Sequence, residues 1–118
     1  MADPNFILLY VADPAASARF YAGLLGHEPV EASPTFAMFR LSSGVMLGLW
    51  GRDGVEPGAT PPGGGELAFA VPDLAPVYVD WQVRGLPILQ PPTAMDFGRT
   101  FLATDPDGHR LRVFTPAR

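Results

Sequence analysis

The chain has 118 residues, with 12 acidic and 8 basic side chains, a net charge of −4 and no cysteine. A chain without basic runs lacks the electrostatic footprint of a protein that binds nucleic acid or a membrane surface. The absence of cysteine excludes disulfides and thiolate metal sites. The composition therefore predicts a compact cytoplasmic domain whose partners are small molecules or proteins, with no nucleic acid and no membrane.

The first half predicts the element order β-α-β-β-β. The run from Phe6 to Val11 is β-branched and aromatic, apolar on both faces, and we expect a strand that is covered on both sides. Asp13 as N-cap, Pro14 in the first turn and Gly26 as C-cap bound a helix. Three extended segments should follow it, at residues 28–32, 35–41 and 45–50, with Ser42-Ser43-Gly44 as the tight turn between the last two.

The second half repeats this order after a segment rich in glycine and proline. Its elements are a strand at 66–71, a helix that begins after Asp73 and ends before Gly85, a short strand at 86–90, and a hairpin that turns at Asp105-Pro106-Asp107-Gly108. Val11-Ala12-Asp13 matches Val71-Pro72-Asp73, and Gly44 matches Gly108, which indicates two copies of one unit. We therefore predict an α+β fold over residues 1–118, with module one at about 5–51, a linker at about 52–65 and module two at about 66–116.

Motifs near both ends resemble one known superfamily. The strand and Asp-capped helix that ends in Arg19-Phe20-Tyr21, together with Thr104-Asp105-Pro106-Asp107-Gly108-His109, resemble the vicinal oxygen chelate superfamily of glyoxalases, bleomycin-resistance proteins and extradiol dioxygenases. Within it, Leu9-Tyr10-Val11, Gly48-Leu49-Trp50 and Phe97-Gly98-Arg99-Thr100-Phe101-Leu102 resemble the members that confer resistance to phenazine antibiotics. The resemblance implies two βαβββ modules whose sheets curl around a cavity, and a homodimer in which modules of different subunits complete two cavities.

Enzymes of that superfamily hold a divalent metal on the first and last strands of each module. The resemblance carries those positions onto Phe6 and Gly48 in the first module, and onto Glu66 and Arg112 in the second. Arginine is always protonated and repels a cation, so Glu66 is the only candidate ligand among them. We therefore expect no metal and no other cofactor. His27 and His109 are expected at the surface and in the turn, respectively.

Glu66 and Arg112 are instead predicted to form an ion pair across neighbouring strands. Two interpretations of this pair stay open. Glu66 could orient Arg112 toward a polar group of a ligand, or the pair could be purely structural, since desolvation can cancel the attraction of a partly buried pair.

Strand alternation places an aromatic set on one face of the first module. Its members are Phe6, Leu8, Tyr10, Met46, Gly48 and Trp50, and Phe36 and Met38 could face the same space. Gly48 should leave a gap through which a flat ligand reaches the backbone, and Trp50 offers a broad π face for stacking. For Phe36, Met38 and Met46, packing in the core or in a dimer interface is the alternative. Trp81 falls at helical spacing with apolar neighbours and is expected in the core.

Two functions from different classes follow. The first is a non-enzymatic protein that sequesters a planar aromatic small molecule, of the phenazine type by resemblance, without modifying it. Its predicted ligand-binding residues are Trp50, Phe6, Tyr10, Phe36, Met38, Met46, Gly48, Glu66 and Arg112, and none is predicted to be catalytic. The second is an enzyme of the same fold, with or without a metal, that acts as a lyase, isomerase or dioxygenase. An interaction domain that binds no small molecule is a third possibility.

Overall fold

A computed structural model describes residues 5–55 and 66–117 of the protein. The chain divides into two compact units, and each contains one α-helix and four strands within its described residues. The first module comprises β1 (Phe6–Val11), α1 (Pro14–Leu25), β2 (Glu31–Ala32), β3 (Phe36–Arg40) and β4 (Met46–Gly51), followed by a 3₁₀ turn at Arg52–Gly54. The second comprises β5 (Glu66–Ala70), α2 (Leu74–Val83), β6 (Ile88–Met95), β7 (Gly98–Thr104) and β8 (Arg110–Pro116).

Both modules have the same sheet topology. The strand orders are β1-β4-β3-β2 and β5-β8-β7-β6, so the first strand of each module lies at an edge beside the last. That pair is parallel in both modules, and the other neighbouring strands run antiparallel. The predicted α+β class and the predicted pair of βαβββ modules are confirmed.

The helices begin at the predicted caps. Asp13 Oδ1 accepts a hydrogen bond from the backbone N–H of Ala15 at 3.0 Å, which satisfies a donor that the first helical turn leaves free. Asp73 makes the same bond to Ala75 at 3.1 Å. Gly26 closes α1 in the left-handed conformation, with a φ of 79°, and donates to the carbonyl of Ala22. Local sequence signals are therefore sufficient to set these helix ends.

Each helix covers one face of its own sheet. In the first module α1 packs on β3 and β4, and Tyr21, Phe39, Leu47 and Leu49 are fully buried there. The expectation that β1 is covered on both faces is wrong, because Phe6, Ile7, Leu8 and Tyr10 are all more than one-third exposed. The physical reason is that β1 lies at the edge of the sheet, whereas α1 packs on its inner strands, β3 and β4.

The second module has an aromatic core beneath α2. Trp81 is only 5% exposed, which confirms its predicted core position. Its indole meets the ring of Phe69 edge-on at 5.8 Å between centroids and that of Phe101 at 5.4 Å. Edge-to-face pairs of this kind add stabilisation beyond the area they bury.

Strand boundaries differ most where proline interrupts the pattern. The predicted strand at 86–90 is instead β6, at Ile88–Met95, and its pairing with β7 shifts register around Gln90. Pro91 and Pro92 lie inside it, and an irregular ladder accommodates residues that lack an N–H donor. The predicted strand at 28–32 shortens to Glu31–Ala32. Within the predicted linker, Val55 is buried, and positions 56–65 lie outside the described residues.

In the ranges 5–55 and 66–117, neither α-helix is long and apolar enough to cross a membrane.

Candidate functional site

One face of the first sheet carries the whole predicted aromatic set. In the β1–β4 register Phe6 lies opposite Met46 and Tyr10 lies opposite Trp50. The β3–β4 register places Phe36 opposite Trp50. Since residues at even spacing along a strand share a face, Gly48 and the seven side chains of the set lie on the side of the sheet that faces away from the buried Leu47 and Leu49. The members of this apolar face are Phe6, Leu8, Tyr10, Phe36, Met38, Met46, Gly48 and Trp50.

A shallow depression of about 460 Å³ lies on the apolar face. It is lined by Phe6, Leu8, Phe36 and Trp50. Phe6 is 44% exposed, Tyr10 is 39% exposed, and Trp50 is half-buried. The Tyr10 and Trp50 rings meet edge-on, with centroids 6.4 Å apart and planes at 75°. The depression therefore presents aromatic and aliphatic surface that the described residues leave open to solvent.

Gly48 does not provide the gap that the sequence predicts. A Cβ at this position would lie 2.6 Å from Leu8 Cδ2 and 3.0 Å from Phe36 Cζ, so these side chains already cover the glycine, which is buried. The expectation that a flat ligand reaches the Gly48 backbone is corrected on this point. Glycine here lets the side chains of the neighbouring strands close over β4, and the depression lies above them.

The second module carries a polar cluster on its sheet. Arg112 Nε donates to Glu66 Oε2 at 2.5 Å and Nη2 donates to Oε1 at 3.1 Å, so the guanidinium binds the carboxylate through two parallel hydrogen bonds. The predicted ion pair is confirmed. The two residues are not directly opposite each other, because Glu66 pairs with Arg110 in the β5–β8 register. Their long side chains span the diagonal between neighbouring positions.

The ion pair keeps both groups charged. The hydrogen bond from Arg112 lowers the pKa of Glu66 below its usual value of 4.5, against the opposing effect of burial. The hydrogen bond to Glu66 raises the pKa of Arg112 in turn. The side chains are 19% exposed for Arg112 and 30% for Glu66, so the pair is accessible from solvent. A bidentate pair of this geometry holds the guanidinium in one orientation.

A buried threonine fixes Arg112 from its other side. Thr100 is fully buried, and its hydroxyl oxygen accepts a hydrogen bond from Arg112 Nη1 at 3.2 Å. The same hydroxyl donates to the carbonyl of Val113 at 2.9 Å, which directs its lone pairs toward the guanidinium. Glu66 and Thr100 thus bind three different nitrogens of Arg112. No sequence motif predicts this role for Thr100, although strand alternation on β7 indicates the face on which it lies.

Two aromatic residues also belong to the polar cluster. Phe97 and Phe114 meet edge-on with centroids 5.8 Å apart, and the Arg112 Cζ lies 6.0 Å from the Phe97 ring centroid. That separation is at the outer limit of a cation–π contact. Phe97 is also partly exposed, at 43%. The polar cluster, defined as Glu66, Thr100, Arg112, Phe97 and Phe114, therefore combines a charged group with accessible aromatic surface.

The residues at the metal positions of the superfamily's enzymes do not fit a divalent cation. Both carboxylate oxygens of Glu66 are engaged by Arg112, whose permanent positive charge opposes a cation. Phe6 and Gly48 have no side-chain atom that can coordinate a metal. In the part of the chain that the structure describes, no three His, Cys, Asp or Glu side chains form a group able to hold a metal.

His109 belongs to the turn between β7 and β8, as expected. Its Nδ1 lies 2.8 Å from Asp105 Oδ2, and its backbone N–H donates to Asp105 Oδ1 at 2.8 Å. The Asp105 carboxylate is buried and also accepts the N–H of Asp107. Gly108 completes the turn with a φ of 86° and donates to the Asp105 carbonyl. This arrangement stabilises the turn.

A second depression, of about 570 Å³, lies in the first module between α1 and the β2 region. Alanines make up half of its lining residues, and Arg19 and Glu28 are among the others. Ala37, which lines it, points away from the face that carries Phe36, because the two residues are consecutive on β3. The two depressions are therefore on opposite sides of the first sheet.

The comparison with known families decides the identity of the fold. The model of the glyoxalase/bleomycin resistance protein/dioxygenase superfamily matches residues 4–113. The chain belongs to this superfamily. Among curated relatives, it is 33% identical over 116 residues to the phenazine antibiotic resistance protein EhpR of Enterobacter agglomerans, covering 93% of this chain and 89% of the relative.

Solved structures of similar proteins agree with the family assignment. A protein of Agrobacterium tumefaciens, determined by NMR in solution, is 50% identical, with a TM-score of 0.90 and full coverage of both chains. A glyoxalase-related enzyme of Fulvimarina pelagi is 27% identical, with a TM-score of 0.83 over 98% of this chain and 88% of that one. The superfamily thus contains both a resistance protein and an enzyme among the relatives of this chain.

Proposed function

We propose that this protein binds and sequesters a planar aromatic small molecule of the phenazine type, and that it confers resistance by binding alone, without chemical modification. The observation that carries the proposal is the exposed aromatic depression on the apolar face of the first module. The relationship to a phenazine antibiotic resistance protein supports the choice of ligand class.

The apolar face suits a flat, uncharged ring system. An accessible cluster of large apolar side chains on a small protein is typical of a binding surface. The lining side chains present both aromatic faces and edges, and offset or edge-to-face contact with a ligand ring adds ~0.5–1.5 kcal/mol beyond the area buried. Met38 and Met46 lie on the same face, and flexible thioethers adapt to the outline of a ligand.

Glu66 and Arg112 are proposed as a polar contact for the ligand. Arg112 is held rigidly by Glu66 and Thr100, yet its side chain remains partly accessible. A preorganised donor binds an acceptor with little loss of side-chain entropy. This supports a role in binding a polar substituent, whereas a purely structural pair would leave ligand affinity unchanged on mutation.

Tryptophan fluorescence can test the binding proposal, because the chain has two tryptophans in different environments. We expect a phenazine to quench the emission of the wild-type protein and of the Trp81→Phe variant, whose tryptophan lies on the apolar face. The Trp50→Phe variant, which retains the buried Trp81, should lose most of the quenching. In a titration, Trp50→Ala should weaken binding about tenfold, the effect expected on removing a central aromatic contact.

The same sample distinguishes sequestration from catalysis. After incubation and denaturation of the complex, mass spectrometry should detect the phenazine with its mass unchanged. Its amount should equal that of the binding sites. A product of altered mass formed over many turnovers would favour an enzyme, the alternative that the relationship to the Fulvimarina pelagi enzyme supports. The absence of saturable binding would contradict the proposal itself.

We also propose that the chain acts as one domain of two modules and as a cytoplasmic homodimer. Exposed apolar residues on the edge strand β1 support association with another copy. Sedimentation velocity should give twice the monomer mass at micromolar protein concentration. A monomeric protein that binds the ligand with full affinity would contradict the proposed dimer.

A further inference from the structure

In the polar cluster, the negative charge of Glu66 lies directly beside Arg112, the arginine that is proposed to contact the ligand. Glu66 occupies the Nε and Nη2 edge of the Arg112 guanidinium, and Thr100 occupies Nη1. Each terminal nitrogen of a guanidinium carries two hydrogens. Among residues 5–55 and 66–117, no further acceptor engages the second hydrogen of Nη1 or of Nη2. One N–H on each terminal nitrogen therefore has no acceptor among the described residues and is available to a ligand.

The positive charge of the guanidinium is already compensated by Glu66. A carboxylate bound there would gain the attraction of Arg112 but would also lie within several ångströms of the Glu66 carboxylate, which stays ionised. Arg110 also lowers the pKa of Glu66, but its effect is smaller than that of Arg112. Arg110 is exposed, so solvent and salt screen its charge. A neutral carbonyl can accept from either N–H group without the repulsion from Glu66.

We propose that Glu66 is a specificity-determining residue, which makes Arg112 select ligands that carry a neutral acceptor such as an amide, ester or ring carbonyl over ligands that carry a carboxylate. The residue acts by placing a repulsive charge beside the donor, a common means of rejecting a competing ligand. Phe97, which lies beside the guanidinium, and Phe114, which packs edge-on against Phe97, provide apolar surface for the ring that bears the acceptor. This inference rests on the proposed function, since it concerns the recognition of the same class of ligand.

A pair of matched probes tests the inference. Phenazine-1-carboxamide and phenazine-1-carboxylate have the same ring system and differ in the charge of one substituent. Dissociation constants for both should be measured at pH 7 for the wild-type protein, Glu66→Gln and Glu31→Gln. Glu31 is an exposed carboxylate in the first module, and its substitution controls for the change in net charge.

We expect Glu66→Gln to raise the affinity for the carboxylate relative to the carboxamide by about tenfold, the order of one charge interaction at a partly exposed site. The glutamine can still accept from Arg112 and so keeps the guanidinium oriented. Glu31→Gln should leave the ratio unchanged. Glu66→Met is the second variant, for use if Glu66→Gln folds poorly. It removes the charge, keeps a side chain of similar length, and should shift the ratio in the same direction.

Three results would overturn the inference. An unchanged ratio in Glu66→Gln, an equal shift in Glu31→Gln, or an equal loss of affinity for both probes would each show that Glu66 does not select by charge. These results leave sequestration intact, because the wild-type protein still binds. Failure of the wild-type protein to bind either probe would instead remove the proposed function, and this inference with it.

Discussion

The two modules share one backbone plan and carry different chemistry at equivalent positions. Phe6 pairs with Met46 in one module and Glu66 pairs with Arg110 in the other, so Phe6 is diagonal to Gly48 as Glu66 is to Arg112. The first pair of positions holds a phenyl ring and a glycine covered by apolar side chains. The second holds a bidentate ion pair.

The difference shows which part of each module is free to vary. The helix-covered face is apolar in both modules, with Leu47 and Leu49 buried in the first and Leu111 and Val113 buried in the second. Burial of that face stabilises each module and restricts it to apolar residues. The opposite face has no such restriction, and it carries both candidate ligand contacts. The following substitutions test this comparison, in order of decreasing expected effect.

The largest effect should come from a glycine that only the second module requires. Gly98 has a φ of 135°, and a Cβ there would lie 2.1 Å from the Thr115 carbonyl oxygen, which is backbone. Gly98→Ala should therefore destabilise the protein by more than about 4 kcal/mol in urea unfolding, or prevent folding. At Gly48 the nearest atoms are ends of side chains, so Gly48→Ala should cost only ~1–3 kcal/mol. Equal losses in the two variants would contradict this account.

The final turns of the two modules should differ next. The Asp105 carboxylate is buried and accepts from two backbone N–H groups and the His109 ring, so Asp105→Ala should cost ~2–4 kcal/mol. The matching turn in the first module has backbone hydrogen bonds, but among the described residues its one side-chain bond is exposed and 3.3 Å long, from the Val45 N–H to Ser43 Oγ. Ser43→Ala should change the free energy of unfolding by about 0.5 kcal/mol or less. Urea unfolding measures both values, and a large loss in the serine variant would refute the comparison.

Removing the arginine of the polar cluster should have a moderate effect. Arg112→Met leaves Glu66 and Thr100 without their donor and should cost ~1–2 kcal/mol. The pKa of Glu66 should then rise toward its usual value of 4.5, which ¹³C NMR titration of the carboxyl carbon can follow. Arg40→Met, at an exposed position of the first module, is the control and should leave that pKa in place. An unmoved Glu66 pKa in Arg112→Met would contradict the assigned cause.

The smallest effect concerns pH. Because Arg112 lowers the pKa of Glu66 in the folded protein, the stability from this pair is present above the usual pKa of 4.5 and is lost as the pH falls through the lower folded value. The difference in unfolding free energy between the wild-type protein and Glu66→Gln should be largest near pH 7 and should shrink in acid. A difference that grows in acid would have the wrong sign.

Much of the fold could be predicted because its signals are local. Asp13, Pro14 and Gly26 bound α1 through backbone capping, which depends only on adjacent residues. The apolar face followed from alternation along β1 and β4. The strand at Ile88–Met95 could not be bounded in this way, because its prolines are accommodated by an irregular pairing with β7.

The sequence by itself determined the two βαβββ units, the family, the shared face of the aromatic residues and the partnership of Glu66 with Arg112. Only the tertiary structure decided that Leu8 and Phe36 cover Gly48, and that the buried Thr100 holds Arg112 from the side opposite Glu66. The reason is physical. Capping and alternation act between residues close along the chain, whereas the space above a glycine and the third partner of a guanidinium depend on which side-chain ends meet across neighbouring strands.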